Sequence, residues 1–252
     1  MNLQKNRYLL LFAAACAGVM LFLIATAHGA NNVFGPVRPY TNFSNSPFQV
    51  MLPTFSYFYL ETYEEAGALT NPGVRISAGY VYSGSQVDSI EFADGNPDHG
   101  HSLLAAASPG ITFTFDTNVL RGLPTHAGIA WTDGYLPIHF TAYDSQTNSL
   151  GTIDDSSGCD YSCGNQDPTH YRFFYATNQD GISAIQISCG AAGGIEVDHL
   201  QYGRAVQCPP LAIARAGTNI VLSWPEPGSN AVLEATATMP TGWTRPPSAC
   251  GA

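Results

Sequence analysis

Short apolar or alternating runs, separated by turn residues, fill most of the chain beyond residue 54. Alternation with period two predicts half-buried β-strands, and clusters of Gly, Pro, Asn and Asp between the runs predict tight turns. Since no long amphipathic helix interrupts these runs, the sequence predicts an all-β fold, a β-sandwich. The candidate strands cover residues 55–63, 74–82, 85–91, 110–115, 126–132, 138–144, 150–153, 170–176, 182–188 and 194–202.

The segments that flank the predicted sandwich (54–203) have a different composition. Residues 31–53 are rich in Asn, Pro, Ser and aromatic residues and predict an extended lead-in. Residues 204–210 predict a stiff linker, and 211–252 carry further strand-like runs. About forty residues form only a marginal core of their own. This C-terminal β module therefore either packs onto the sandwich or is a short, incomplete copy of a longer one.

Residues 1–30 have the organisation of a secretory signal peptide. Lys5 and Arg7 supply a positive start, apolar and small residues follow from 8 to 27, and Ala25-Thr26-Ala27 offers a cleavage site. An uncleaved run of this length could also anchor the protein in a membrane. We therefore expect an exported protein, extracellular or at the cell surface, that contacts a membrane only if this segment is retained.

The charge balance limits the classes of partner. The chain has 19 Asp+Glu against 9 Lys+Arg, and beyond residue 30 the balance is 7 − 19 = −12 with no lysine. Contacts to phosphate need clustered Lys and Arg. The composition therefore argues against nucleic acids as partners.

Export makes disulfides the expected state of the cysteines. We predict a bond between Cys159 and Cys163, which bracket a short loop, and one between Cys189 and Cys208, which flank a strand pair. Cys250 is left unpaired, and the other pairings of these four cysteines remain open. No second close pair exists at the spacing of zinc ligands.

Six segments between residues 59 and 203 carry a resemblance to a known group. This region resembles exported bacterial proteins of unassigned activity and is similar to galactose-binding-like and carbohydrate-binding modules. The resemblance implies a jelly-roll β-sandwich, and residues 211–236 resemble the start of a fibronectin-type-III-like module. The six segments are YLETYEEAGALTNPGV (59–74), ITFTFD (111–116), LPTHAGIAWTDG (123–134), NSLGTI (148–153), RFFYATNQDGISAIQIS (172–188) and GGIEVDHLQYG (193–203).

Four carboxylates suggest a calcium site. Glu61, Glu64 and Glu65 lie near the start of the predicted sandwich and Asp198 lies near its end. The first and last strands of a jelly roll commonly pair, which would bring these residues to one edge. Hard oxygen ligands suit Ca²⁺, and the resemblance to carbohydrate-binding modules implies a structural calcium held by such residues. The alternative is a set of solvated carboxylates.

Trp131, Asp133 and Tyr135 form a candidate ligand site. An aromatic ring at the rim of a sandwich can stack on a sugar, and a neighbouring carboxylate can accept hydrogen bonds from its hydroxyl groups. The alternative is that Trp131 fills the core, which its apolar approach AGIAW favours. The exposure of the ring distinguishes the two.

These features predict a non-catalytic module that acts in adhesion or binds carbohydrate, with an extracellular polysaccharide or glycan as the expected partner. The sequence contains no nucleophile elbow, zinc-protease motif or phosphate-binding loop. One alternative is a structural envelope or matrix protein without a specific ligand. A second is a carbohydrate-active hydrolase, which needs two carboxylates at a suitable separation.

Overall fold

The computed structural model describes most of the predicted sandwich. The described residues are 32–65, 69–83, 87–90, 100–157, 167–190 and 193–206, together with the backbone of 212–216 and 219–223. The predicted signal peptide, most of the predicted linker and the end of the C-terminal module lie outside this set. Within the described residues, no helix is long and apolar enough to cross a membrane.

In the described residues, two antiparallel sheets account for twelve strands. A short helix, α1 (Thr117–Leu120), and two 3-10 helices (Phe43–Asn45 and Gln49–Thr54) complete this part of the chain, and β13 (Ala212–Ala216) pairs with β14 (Asn219–Ser223) as a separate hairpin. The twelve strands are β1 (Val33–Val37), β2 (Phe55–Glu61), β3 (Val74–Ile76), β4 (Tyr80–Ser83), β5 (His101–Ala106), β6 (Ile111–Phe115), β7 (His126–Gly134), β8 (Ile138–Tyr143), β9 (Ser149–Asp155), β10 (Arg172–Thr177), β11 (Ala184–Cys189) and β12 (Gly194–Ala205).

The strand order is that of a jelly roll. Sheet A has the order β1-β10-β7-β12-β5-β4, with β2 also paired to β12, and sheet B has the order β3-β6-β11-β8-β9. Strands β5 to β12 alternate between the sheets except at the β8–β9 hairpin, so β5-β12-β7-β10 faces β6-β11-β8-β9. The predicted all-β sandwich is confirmed.

The main core lies between the sheets and follows the two-residue period of the strands. In sheet B, Ile185 and Ile187 face inward while Gln186 between them is only half-buried. In sheet A, Ala127, Ile129 and Trp131 of β7 face inward. This regular alternation is why most strands could be predicted from the sequence.

The opposite, outer face of sheet A is also buried. Residues 40–55, which run from the lead-in to the start of β2, cover it, and Tyr40 and Phe48 pack with Phe173 in a second apolar cluster. The rings of Tyr40 and Phe173 stack at 4.9 Å. Beneath the cover, burial lowers the pKa of His126 to about 4. The lead-in is therefore a packed layer, and it also supplies the edge strand β1 to sheet A.

Four local predictions differ from the structure. The single strand predicted at 74–82 is two strands, β3 in sheet B and β4 in sheet A. Strand β5 was not predicted, because its sequence HSLLAA shows no regular alternation of polar and apolar residues. Residues 87–90, part of a predicted strand, form an irregular segment. The Asp133-Gly134 pair, predicted as a turn, continues β7.

A buried ion pair joins the two sheets at one end. Asp155 ends β9 in sheet B, and the Arg172 guanidinium of β10 in sheet A lies 3.3 Å from its carboxylate. Arg38, just after β1, donates to the same Asp155 oxygen. Burial alone would raise the pKa of Asp155, but hydrogen bonds from Ser157 and Arg38 and the charge of Arg172 hold it below its usual value.

We expect Arg172→Met to lower the free energy of unfolding by about 3 kcal/mol, because it removes one partner of a buried ion pair. Arg75→Met is the matched control, since Arg75 also pairs with an aspartate (Asp116, 2.9 Å) but is 79% exposed; its loss should be below about 1 kcal/mol. Urea unfolding of the full chain measures both. Equal losses in the two variants would contradict this account.

Candidate functional site

Three carboxylates meet on the outer face of sheet A. Asp88, Asp133 and Glu196 each place an oxygen within 4.8 Å of the others. Asp88 is 4% exposed and Glu196 is 5% exposed, while Asp133 is half-buried. Among the described residues, no other group of three or more acidic, His or Cys side chains lies close enough together to hold a metal ion.

A β-bulge places Asp133 in this group. Glu196 pairs with Asp133 and Val197 pairs with Trp131, so Thr132 is an extra residue in β7. In a regular strand Asp133 would share the inward face of Trp131. The extra residue turns Asp133 to the outer face, beside Glu196.

Asp88 reaches the site from the irregular segment 87–90, which lies over the outer face of sheet A. The Asp88 backbone N–H donates to Glu196 Oε2 at 3.4 Å. The Tyr171 hydroxyl donates to Asp88 Oδ1 at 3.3 Å. Burial raises the pKa of Tyr171, and the Asp88 carboxylate raises it further, so this hydroxyl stays protonated.

The protonation of Glu196 is set by its surroundings. Burial raises the pKa of Glu196 to about 7, and the negative charges of Asp88 and Asp133 act in the same direction. The Ser102 hydroxyl donates to Glu196 Oε1 at 2.8 Å and opposes this rise. Near neutral pH, Glu196 is therefore present in both its protonated and its charged form.

The donor set suits a hard cation. All three side chains offer carboxylate oxygens, which are preferred ligands of Ca²⁺. A cation at this point would offset both the burial of the charge and the mutual repulsion that raise the pKa of Glu196. It would also connect segment 87–90 to two strands of sheet A.

Two of the predicted calcium ligands lie close to this group. Asp198 is fully buried and accepts hydrogen bonds from Ile90 N at 2.8 Å and Ser89 Oγ at 3.1 Å. The Ser89 hydroxyl also lies 3.4 Å from Glu64 Oε1. Glu64 and Asp198 thus share a hydrogen-bond partner, Ser89, but β12 lies inside sheet A and not at an edge, and the calcium site predicted at these residues stays a prediction.

The other two predicted ligands have different positions. Glu61 is buried and closes a loop by accepting hydrogen bonds from Thr70 N at 2.7 Å and Asn71 N at 2.9 Å. Glu65 is exposed. Neither is grouped with other potential metal ligands among the described residues.

The prediction that Trp131 forms a sugar-binding platform is wrong. Trp131 is 2% exposed and belongs to the core between the sheets. The Arg172 guanidinium lies over its ring, 4.6 Å from the centroid. The alternative, that Trp131 fills the core, is confirmed. Of the other two residues of the predicted ligand site, Asp133 belongs to the carboxylate group, and Tyr135 is half-buried.

The predicted disulfides stay predictions. Among the described residues Cys189 is buried and bonded to no other cysteine, and its sulfur lies 3.6 Å from the Gly194 carbonyl oxygen. Its expected partner Cys208 lies outside the described residues, as do Cys159 and Cys163. Burial raises the pKa of the Cys189 thiol.

Sequence reasoning missed Asp88 and Glu196. The sequence did contain a signal for Glu196, because this residue stands two positions before the predicted ligand Asp198 and therefore shares its face of β12. Asp88 had none, since it lies inside a run that predicts an ordinary strand.

Comparisons with known proteins give one distant structural likeness. No protein-family profile and no curated protein match the chain. The crystal structure of the K1 cleaved adhesin domain of Lys-gingipain from Porphyromonas gingivalis W83 aligns with 60% of this chain and 100% of that domain, at 9% identity and a TM-score of 0.39. A likeness at this level says nothing about function.

We expect Glu196→Gln to be more stable than the wild type at pH 8 in a chelator, by about 2 kcal/mol, and nearly equal to it at pH 5. The folded-state pKa of Glu196 is raised from 4.5 to about 7, so the wild type loses stability as the pH rises through this interval. Glutamine stays neutral and avoids that loss. Urea unfolding at both pH values measures the difference.

Glu65→Gln is the control, because Glu65 is exposed. It should follow the pH dependence of the wild type. Parallel pH profiles for the wild type and Glu196→Gln would show that Glu196 is not the group that titrates.

Proposed function

We propose that this protein is an exported, non-catalytic β-sandwich module that acts in adhesion or carbohydrate binding at the cell surface, with calcium as a structural cofactor. The observation that carries the calcium part of the proposal is the convergence of Asp88, Asp133 and Glu196 on one face of a jelly roll. The predicted export signal of residues 1–30 supports the cellular location.

Calcium in this role would stabilise the cover of sheet A. Segment 87–90 already contacts sheet A through Asp88 N to Glu196 and Ile90 N to Asp198. Three carboxylates leave several ligand positions for backbone carbonyls or water, as calcium sites commonly do. The cation would thus connect residues that are distant in sequence.

The same carboxylates bear on the hydrolase alternative. A buried acid with a raised pKa is typical of a general acid in glycoside hydrolysis. However, both oxygens of Glu196 accept hydrogen bonds from protein groups, and Asp88 and Ser89 above it are buried. A substrate would have to displace segment 87–90, which favours the structural role.

The burial of Trp131 favours the alternative of a structural envelope or matrix protein, because the predicted aromatic platform for a sugar is absent. Carbohydrate binding therefore requires another site on the sandwich. The two alternatives share the calcium site and differ only in whether a glycan binds.

We expect calcium to raise the melting temperature of the full chain by roughly 5–10 °C relative to a chelator, because a ligand at about 100 times its Kd adds about 2.7 kcal/mol. Asp133→Asn should lose most of this increase, since it removes one of three converging carboxylates. Glu65→Gln should keep it. Differential scanning calorimetry measures all three proteins.

An unchanged melting temperature of the wild type in calcium would overturn the cofactor proposal. An equal calcium response in Asp133→Asn and Glu65→Gln would place the ion elsewhere.

A further inference from the structure

A polar cavity lies beside the outer face of sheet B, away from the carboxylate group. Its volume is about 600 Å³, within the range of small-molecule sites. The β5–β6 turn forms one wall, and the Gln186 side chain of β11 donates to the Pro109 carbonyl oxygen at 3.2 Å to hold that turn against the sheet. The residues that line it include Ala107, Ser108, His139, Ser188, Gly190 and Gly193.

Three polar side chains stand in one row across sheet B at this cavity. Ser188 of β11 pairs with His139 of β8, and His139 pairs with Asp154 of β9. Gln186 and Thr141 form the neighbouring row of the same register. Since Ile138, Phe140 and Ile187 face the core, this row belongs to the outer face of the sheet.

The His139 ring is held in one orientation. Its Nδ1 lies 2.6 Å from Asp154 Oδ1. A carboxylate on one ring nitrogen fixes the tautomer and leaves the other nitrogen available to a ligand. His139 is 41% exposed on its side chain and lines the cavity, so a ligand can reach it.

The floor of the cavity requires small residues. A side chain at Gly190 would place its Cβ 2.4 Å from Pro137 Cδ, and one at Gly193 would place it 3.1 Å from the Tyr135 ring at a φ of +136°. Local packing therefore keeps these two lining positions without side chains. Tyr135, a predicted ligand residue, lies directly against Gly193.

The lining selects a class of ligand. The described lining residues offer hydroxyl groups, an imidazole and backbone, and none of them is Lys or Arg, so an anion would find no positive charge there. The apolar groups among them are small, which disfavours a lipid. Hydroxyl and imidazole groups suit the hydroxyl groups of a neutral sugar.

We propose that this cavity binds a terminal sugar unit of a neutral glycan, recognised by Ser108, Ser188 and His139 and with Asp154 as the positioning residue of His139. This inference rests on the proposed carbohydrate-binding function and supplies the site that Trp131 does not. The cavity is separate from the carboxylate group, so the sugar would not contact a calcium ion bound there.

Glycan-array binding of the full chain, followed by calorimetric titration of a bound glycan, tests the proposal. His139→Ala and Ser188→Ala are expected to weaken binding at least tenfold with an unchanged melting temperature. Asp154→Asn is expected to weaken binding less and to change the His139 tautomer, which imidazole ¹⁵N chemical shifts report.

His170→Ala is the matched control. His170 also pairs with an aspartate, Asp167 at 3.1 Å, and it does not line the cavity. It should bind as the wild type does. If the wild type binds a glycan and His139→Ala binds equally well, the cavity is not the site, although the carbohydrate-binding function stands. If the wild type binds no glycan, both are overturned.

Discussion

The burial of sheet A on both faces determines the chemistry of this protein. The inner face packs on sheet B, as in any sandwich, while the outer face is covered by residues 40–55 and 87–90. Polar groups on that face cannot rely on water and must find partners in the protein. Ser46, Gln201, Tyr40 and His199 form such a set, with Gln201 donating to the Tyr40 hydroxyl at 2.6 Å. The buried carboxylates belong to the same face and are subject to the same constraint.

Burial explains why these carboxylates are informative. An exposed acidic cluster on so acidic a chain would be unremarkable, because water solvates each charge separately. Beneath segment 87–90, the cost of a charge appears in the raised pKa of Glu196. By contrast, Asp155 is compensated by Arg38 and Arg172, and its pKa falls. At Asp155 the fold supplies arginines that neutralise the buried negative charge. At Glu196 that charge is neutralised by a proton or by a bound cation.

The sequence predicts the sandwich well, because strands with one exposed face alternate regularly, as β11 does. It does not predict β5, whose sequence HSLLAA lacks a regular alternation of polar and apolar residues. The site was harder to predict for two reasons. The extra residue at Thr132 reverses the face of Asp133, and a bulge leaves no clear mark in composition. Glu64 and Asp198 were placed together by the expected pairing of first and last strands, while Asp88 depends on an irregular segment whose path only the tertiary structure fixes.

The central position of β12 has a consequence for how the chain matures. This last strand of the sandwich pairs with β7 along one edge and with β5 and β2 along the other. Sheet A therefore cannot assemble until the residues up to Ala205 are present. Pairings that span the whole domain form slowly. A chain of this design therefore completes its sandwich only after the last of these strands has been synthesised.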